Sequence, residues 1–206
     1  MSEELLPNYR KPVGDGGREV IEKMYVGHAA MTAAFVDLLQ PQKADIALDV
    51  GCGGGLALSL LAKHSTQAYG IDYSDVSVAK AMEYNHAAVQ EGRVVVQQSE
   101  VLDMSFPDEM FSLVTAIETV YFWERAADCY ARIFRVLKPG GRFAILCEAW
   151  RDGDRVVNEP DHMDVLRLAL YSPDEFTAAL RNAGFAAVEF REITDERCLC
   201  VIAQKV

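Results

Sequence analysis

Paired cysteines, basic clusters and long apolar runs are all missing from this 206-residue chain. Its five cysteines, Cys52, Cys129, Cys147, Cys198 and Cys200, are odd in number and include no CxxC pair. That disfavours a disulfide framework and a structural zinc site, and it predicts a reduced, cytoplasmic protein. No stretch approaches 18 uninterrupted apolar residues, and the opening MSEELLPNYRKP lacks the apolar centre of a secretory signal, so neither a membrane span nor export is expected. Lysine and arginine total 20 against 31 aspartate and glutamate, a net charge of −11, and the basic residues are scattered. This balance argues against a nucleic-acid backbone or an anionic membrane as the main partner. Internal repeats and low-complexity tracts are absent as well. What remains is ordinary globular composition, 50% hydrophobic and 25% charged. The length suits one domain, at roughly 100–200 residues per domain.

The apolar pattern alternates between two periods. Residues 1–17, rich in proline and glycine, read as an irregular arm, and residues 18–40 place Ile21, Met24, Met31, Phe35, Leu38 and Leu39 at helical spacing before Pro41. Strands are predicted at 46–50, 67–72, 93–97, 111–117 and 142–149. Between them fall helices at about 56–64, 74–90 with Ser74 as N-cap, and 124–137, the last stopped by Lys138-Pro139-Gly140-Gly141. Residues 150–172 look irregular, with a short helix near 162–170. Ser172-Pro173-Asp174-Glu175 is a capping box that opens a helix closed by Gly184. Strands at 186–190 and 198–204 are joined too tightly for a parallel crossover and should pair antiparallel, which sets both Cys198 and Cys200 on one face. The expected fold class is therefore α/β: a three-layer, mostly parallel sheet of seven strands ending in an antiparallel hairpin, with helices on both faces.

Open parallel sheets bind ligands at the carboxyl ends of their strands. There lies Asp49-Val50-Gly51-Cys52-Gly53-Gly54-Gly55, a loop whose glycines allow backbone to approach a ligand closely; without a ligand it would be a tight strand-to-helix turn. A dinucleotide fingerprint needs a third glycine where Leu56 stands, and no Gly-Lys-Ser/Thr follows to make a P-loop. A carboxylate at Asp49 serves a ligand bearing an ammonium or sulfonium rather than a phosphate. Asp72, at the end of the second strand in GIDYS, can accept both hydroxyls of a ribose, or else cap the following helix.

Together these residues resemble the class I, Rossmann-like S-adenosylmethionine-dependent methyltransferases, in particular the small-molecule branch similar to the ubiquinone-biosynthesis type. LDVGCGGG (48–55), GIDYS (70–74), SEVLDMSFPDEMFSLV (99–114) and RVLKPGGRF (135–143) match in order from about residue 44 onward. The resemblance implies S-adenosyl-L-methionine as cofactor. It implies that Gly51, Cys52 and Gly53 meet the methionine part, that Asp49 supports its ammonium, and that Asp72 binds the ribose with Tyr73 beside the adenine. Glu100 and Val101 then fall at the adenine, where the family more often has Asp than Glu, with Asp103 as the alternative.

Methyl transfer is an in-line displacement that needs acceptor positioning and exclusion of water, so no metal is expected and no protein nucleophile. Three regions are candidates for the acceptor side. Glu118-Thr119-Val120-Tyr121-Phe122-Trp123 follows the fourth strand; Glu118, a carboxylate ending a buried strand, needs a partner, and Tyr121 with its aromatic neighbours can wall the reaction site or simply pack. On the first long helix, His28 shares a face with Met24, Met31 and Phe35, as a base or as a core histidine; relatives carry a similar Met-x-x-x-His pairing there. The segment 150–172 contributes Trp150, Arg151, Arg155, His162 and Tyr171. The expected organisation is a single methyltransferase domain over 1–206, with 1–43 as arm and lid helix, 44–206 as catalytic core and 150–172 on the acceptor side. The expected function is methyl transfer to a small-molecule O, N, S or C acceptor, with no nucleic-acid or membrane partner and a homodimer as the assembly considered. A nicotinamide-dependent oxidoreductase is the competing enzyme class, opposed by Leu56 and the terminal hairpin; a non-catalytic S-adenosylmethionine-binding protein is the third reading.

Overall fold

Four runs of buried apolar residues form the centre of the sheet: β1 (Ile46–Val50), β2 (Gln67–Asp72), β4 (Phe111–Ile117) and β5 (Leu137–Cys147). The computed structural model describes residues 5–158, 166–195 and 197–206. With β3 (Val94–Gln98), β8 (Ala187–Ile193) and β9 (Cys198–Gln204) these strands make one seven-stranded sheet in the order β3-β2-β1-β4-β5-β9-β8. The first five are parallel; β9 is antiparallel to both β5 and β8, so the short connection does close a hairpin. Strand order reverses between β1 and β4, which opens a crevice at their carboxyl ends.

Period-two alternation sends side chains to two cores. Phe143, Ile145 and Cys147 join Tyr130, Phe176 and Phe185 on one face, while Ala144 and Leu146 join Phe35, Leu58, Cys198 and Cys200 on the other. All five cysteines are buried, packing as small hydrophobes. The faces are covered by helices α2 (Gly14–Leu39), α3 (Leu56–His64), α4 (Asp75–Tyr84), α5 (His86–Gln90), α6 (Ala126–Val136) and α7 (Pro173–Asn182). Helix α7 starts at the expected capping box, with Ser172 Oγ accepting from the Glu175 N–H and the Glu175 carboxylate accepting from the Ser172 N–H.

The structure departs from the sequence pattern in four places. The arm is not irregular throughout: α1 (Pro7–Arg10) is one helical turn, and α2 begins at Gly14, four residues early, because Asn8 Oδ1 binds the Val13 N–H just ahead of it. The predicted helix 74–90 breaks at Asn85, whose buried amide donates to the Ala81 and Gly55 carbonyls and so competes with the helix backbone. Strand β5 starts at Leu137 rather than 142; Lys138-Pro139-Gly140-Gly141 is a bulge within it, held by Gly140 N–H on the Lys205 carbonyl. A separate two-stranded hairpin, β6 (Trp150–Asp152) with β7 (Arg155–Val157), occupies the segment read as irregular. His162 and residues 163–165 of the predicted helix lie outside the described residues, and residues 168–170 are not helical. No helix among the described residues is long and apolar enough to cross a membrane.

Helix α2 is buried near both ends, at Val20 and Ile21 as well as in its last turns. Phe35, Val36 and Leu39 are buried in the second core, each contributing about 1.5–3 kcal/mol. Its earlier turns, carrying Ile21, Met24, Tyr25 and His28, extend over the carboxyl ends of the strands and line the crevice.

Candidate active site

The crevice is a cavity of about 420 Å³, within the range of about 300–1,000 Å³ usual for small-molecule sites. Its floor is the glycine loop. The Gly51 and Cys52 N–H groups both donate to the Ile71 carbonyl (2.8 and 3.0 Å), which draws the loop back across the end of β2. Gly51 has φ +71°, and a Cβ there would lie 2.4 Å from Thr119 Oγ1, so only glycine lets the loop and the end of β4 meet. At Gly54 the constraint is a neighbour: a Cβ would lie 2.5 Å from the Tyr25 hydroxyl, which donates to the Gly54 carbonyl. Helix α2 therefore sits directly on the loop.

Two buried carboxyls frame this floor. Asp49, in register with Gly70 on β2 and Thr115 on β4, is 2% exposed and accepts from the Thr115 hydroxyl at 2.7 Å. Burial raises its carboxyl to about 7, against the Thr115 bond, with Asp72 adding repulsion. Asp72 accepts from the Gly53 and Ser74 N–H groups, both at 2.9 Å. Burial pushes its carboxyl above the ordinary value in spite of these bonds. Ser74, not Asp72, caps α4, its hydroxyl accepting from the Ser77 N–H while donating to the Pro12 carbonyl at 2.6 Å. Burial raises the Cys52 thiol far above its usual range.

The N-terminal arm crosses above β2. The Tyr73 hydroxyl donates to the Arg10 carbonyl, Lys11 Nζ lies 4.9 Å from the Tyr73 ring centre, and Tyr9, Arg10 and Pro12 border the cavity. Glu100 and Val101 border it too; Asp103 does not.

At the other end lie Glu118 and His28. Glu118, just past β4, has φ +54°, a backbone conformation that costs of order 1–3 kcal/mol and is held by the surrounding bonds. Its Oε1 accepts from the Tyr121 hydroxyl at 2.8 Å and from the Glu148 N–H at 2.5 Å. Burial raises the Glu118 carboxyl to about 8. Burial lowers the His28 imidazole, favouring its neutral form. Tyr121 does not border the cavity; it stands behind Glu118, accepting from the Ala149 N–H at 3.3 Å, and burial raises its phenol well above the usual range. Phe122 and Trp123 do border it.

So the structure brings Asp49, Gly51, Cys52, Gly53, Asp72, Tyr73, Glu100, Val101, Glu118 and His28 onto one cavity, and leaves Tyr121 one layer behind. None of the described residues of 150–172 borders it: Trp150 is buried with Nε1 donating to the Arg197 carbonyl, and Arg151 binds the Leu170 carbonyl and Glu175. Sequence reasoning missed that Tyr9, Arg10 and Pro12 of the arm border the cavity, and it missed Asn85 and Glu148. Only Asn85 had a local signal, a helix-breaking amide; the others act through contacts between distant segments.

A family model described as a methyltransferase domain matches residues 48–145. The chain is 30% identical over 179 residues to the sterol 24-C-methyltransferase erg-4 of Neurospora crassa, covering 82% of this chain and 46% of that protein. It is 31% identical over 188 residues to the O-methyltransferase resE of Aspergillus sclerotiorum, covering 89% and 71%. Thus the chain spans under half the length of the sterol enzyme and most of the other. Among solved structures, a methyltransferase in complex with the Haloferax volcanii Trm112 methyltransferase activator superposes with a TM-score of 0.82 at 18% identity over 99% of this chain and 98% of that one. Phosphoethanolamine N-methyltransferase 2 of Haemonchus contortus, solved with S-adenosyl-L-methionine, gives 0.73 at 17% over 85% and 52%.

Proposed function

The chain belongs to the class I S-adenosylmethionine-dependent methyltransferases, and on that footing we propose that it transfers the sulfonium methyl of S-adenosylmethionine to a small-molecule acceptor. One observation carries the reading. A single cavity runs from the acidic end of β2, past the glycine loop and Asp49, to the carboxylate at the end of β4, and three desolvated carboxyls, Asp49, Asp72 and Glu118, line it. Desolvated carboxyls that titrate high gain most from a cationic ligand, which suits this donor and not a dinucleotide pyrophosphate. The donor supplies an activated methyl: as the acceptor lone pair bonds to that carbon, the carbon–sulfur pair returns to sulfur and leaves a neutral thioether.

In this reading Asp72 accepts the ribose hydroxyls while still holding the Gly53 N–H, and Asp49 faces the ammonium. Gly51, Cys52 and Gly53 offer backbone to the methionine part; Tyr73, Glu100 and Val101 take the adenine end. Glu118 and His28 stand at the acceptor, with Tyr121 fixing the Glu118 carboxylate and Phe122 and Trp123 excluding water. Residues 1–43 form the lid of one domain whose catalytic core is 44–206. Five buried cysteines, odd in number and without a CxxC pair, support a reducing, cytoplasmic setting. Calorimetric titration tests the donor assignment: one S-adenosylhomocysteine per chain and no heat with NAD are expected. Tight NAD binding with silence toward S-adenosylhomocysteine would overturn it.

A further inference from the structure

Helix α2 and the carboxyl ends of β4 and β5 converge at one point. His28, Glu118 and Glu148 each present one ligand atom there, all within 4.8 Å of one another, and this is the only such group of three or more among the described residues. Adjacent parallel strands end side by side, so Glu118, one residue past β4, and Glu148, one past β5, leave the sheet together. His28 comes down from the lid. Within the described residues His28 has no hydrogen bond or ion pair, although its ring is half-buried against two carboxylates. The Tyr121 and Glu148 N–H bonds to Glu118 both fall on Oε1, which leaves Oε2 as its remaining acceptor.

We propose that these three side chains form a divalent-cation site at the acceptor end of the cavity. An imidazole with two carboxylates is a donor set for a first-row divalent ion. Metal bonds of about 2.1 Å hold donors up to about 4.2 Å apart, so the group closes around an ion by side-chain rotation alone. A neutral imidazole has the ligating protonation state, and the ion's charge offsets the cost of two desolvated carboxylates side by side. Three protein ligands leave positions open, as at catalytic rather than structural sites. Those positions face the cavity that His28 and Glu118 line. Oxygen donors fill such positions, so the ligand class is a hydroxyl-bearing acceptor. The cation therefore deepens the transfer reading and rests on it for the acceptor, not for binding of the ion itself.

The test is titration of the full chain with manganese(II), following the paramagnetic resonance of the free ion. One ion per chain is expected, with zinc(II) displacing it, and pulsed spectra of the bound ion should show coupling to an imidazole nitrogen. Glu148→Gln should weaken binding at least tenfold, and His28→Leu should remove the nitrogen coupling. Glu148→Gln should bind S-adenosylhomocysteine within about twofold of the wild type. Wild type without stoichiometric binding, Glu148→Gln binding like wild type, or a bound ion without nitrogen coupling would each overturn the site. Should Glu148→Gln fail to fold, His28→Leu, on a half-exposed face of α2, decides alone. Absence of S-adenosylhomocysteine binding in the wild type would strike the donor reading and leave the manganese result standing.

Discussion

Replacing Asp72 with alanine separates its two jobs. Its carboxylate holds the Gly53 and Ser74 N–H groups at 2.9 Å each, and in the proposed complex it also accepts from the ribose. A hydrogen bond to a charged group contributes about 1.5–3 kcal/mol, which corresponds to about 10- to 150-fold in affinity. Simple loss of affinity in Asp72→Ala is ambiguous, because a loosened glycine loop would weaken any ligand. The decisive measurement is a cycle by isothermal titration calorimetry, with S-adenosylhomocysteine and its 2′-deoxyribose analogue against both proteins. Loop damage affects both ligands alike and cancels. If Asp72 meets the ribose, the analogue loses about 10- to 150-fold with wild type and under about threefold with Asp72→Ala. Equal losses in the two proteins would refute the ribose assignment whatever the absolute affinities. The variant should also melt lower, since two N–H groups lose their partner and each kcal/mol lowers Tm by about 2–4 °C at this size.

Asp49 and the lid give two further tests. Asp49 titrates at about 7 in the folded protein against 3.8 ordinarily, so its contribution to stability is complete below about pH 4 and is lost as pH rises to about 7. A cationic donor reverses this preference: affinity for S-adenosylmethionine should rise by up to about tenfold per pH unit below 7 and level off above, while Asp49→Asn responds less steeply; parallel pH profiles would refute the pairing. Gly54 has an ordinary φ, so Gly54→Ala tests the contact alone: its Cβ would press on the Tyr25 hydroxyl at 2.5 Å and Ile21 Cγ2 at 2.6 Å. About 1–3 kcal/mol of stability and faster hydrogen exchange in the first turns of α2 are expected, partly recovered by adding Tyr25→Ala; an unchanged melt and exchange pattern would show that the lid does not rest there.

Much of the sheet was legible because each central strand is a buried run and the loop before β9 is too short to cross over. The glycine-loop half of the cavity was legible for a related reason: Asp49 with its glycines, and Asp72 with Tyr73, are contiguous segments at strand ends. Other features were hidden by physics that acts between segments. Asn85 interrupts an unbroken helical pattern because its amide finds the Gly55 carbonyl, thirty residues away. Pro139 and Gly140 mark the end of a helix, which α6 obeys at Val136, yet β5 already begins at Leu137 because a bulge absorbs them and the Lys205 carbonyl accepts the Gly140 N–H. Tyr121 carries the right chemistry but points behind Glu118 rather than into the cavity, a side-chain direction that spacing alone does not fix. Glu148 falls inside the predicted strand 142–149, and its place beside Glu118 arises only because β5 ends next to β4.

The place of β9 has a consequence for how the molecule is made. Residues 198–204 insert between β5 and β8, and their buried side chains serve both faces of the sheet. During vectorial synthesis, β5 therefore emerges long before its second neighbour, and β8 has no strand to pair with until β9 follows. For that interval the nascent chain carries an open, apolar edge at the centre of its future sheet, the arrangement most exposed to pairing with another chain. Closure of that edge, rather than formation of the donor loop, is the step at which crowding by neighbouring nascent chains can divert this protein.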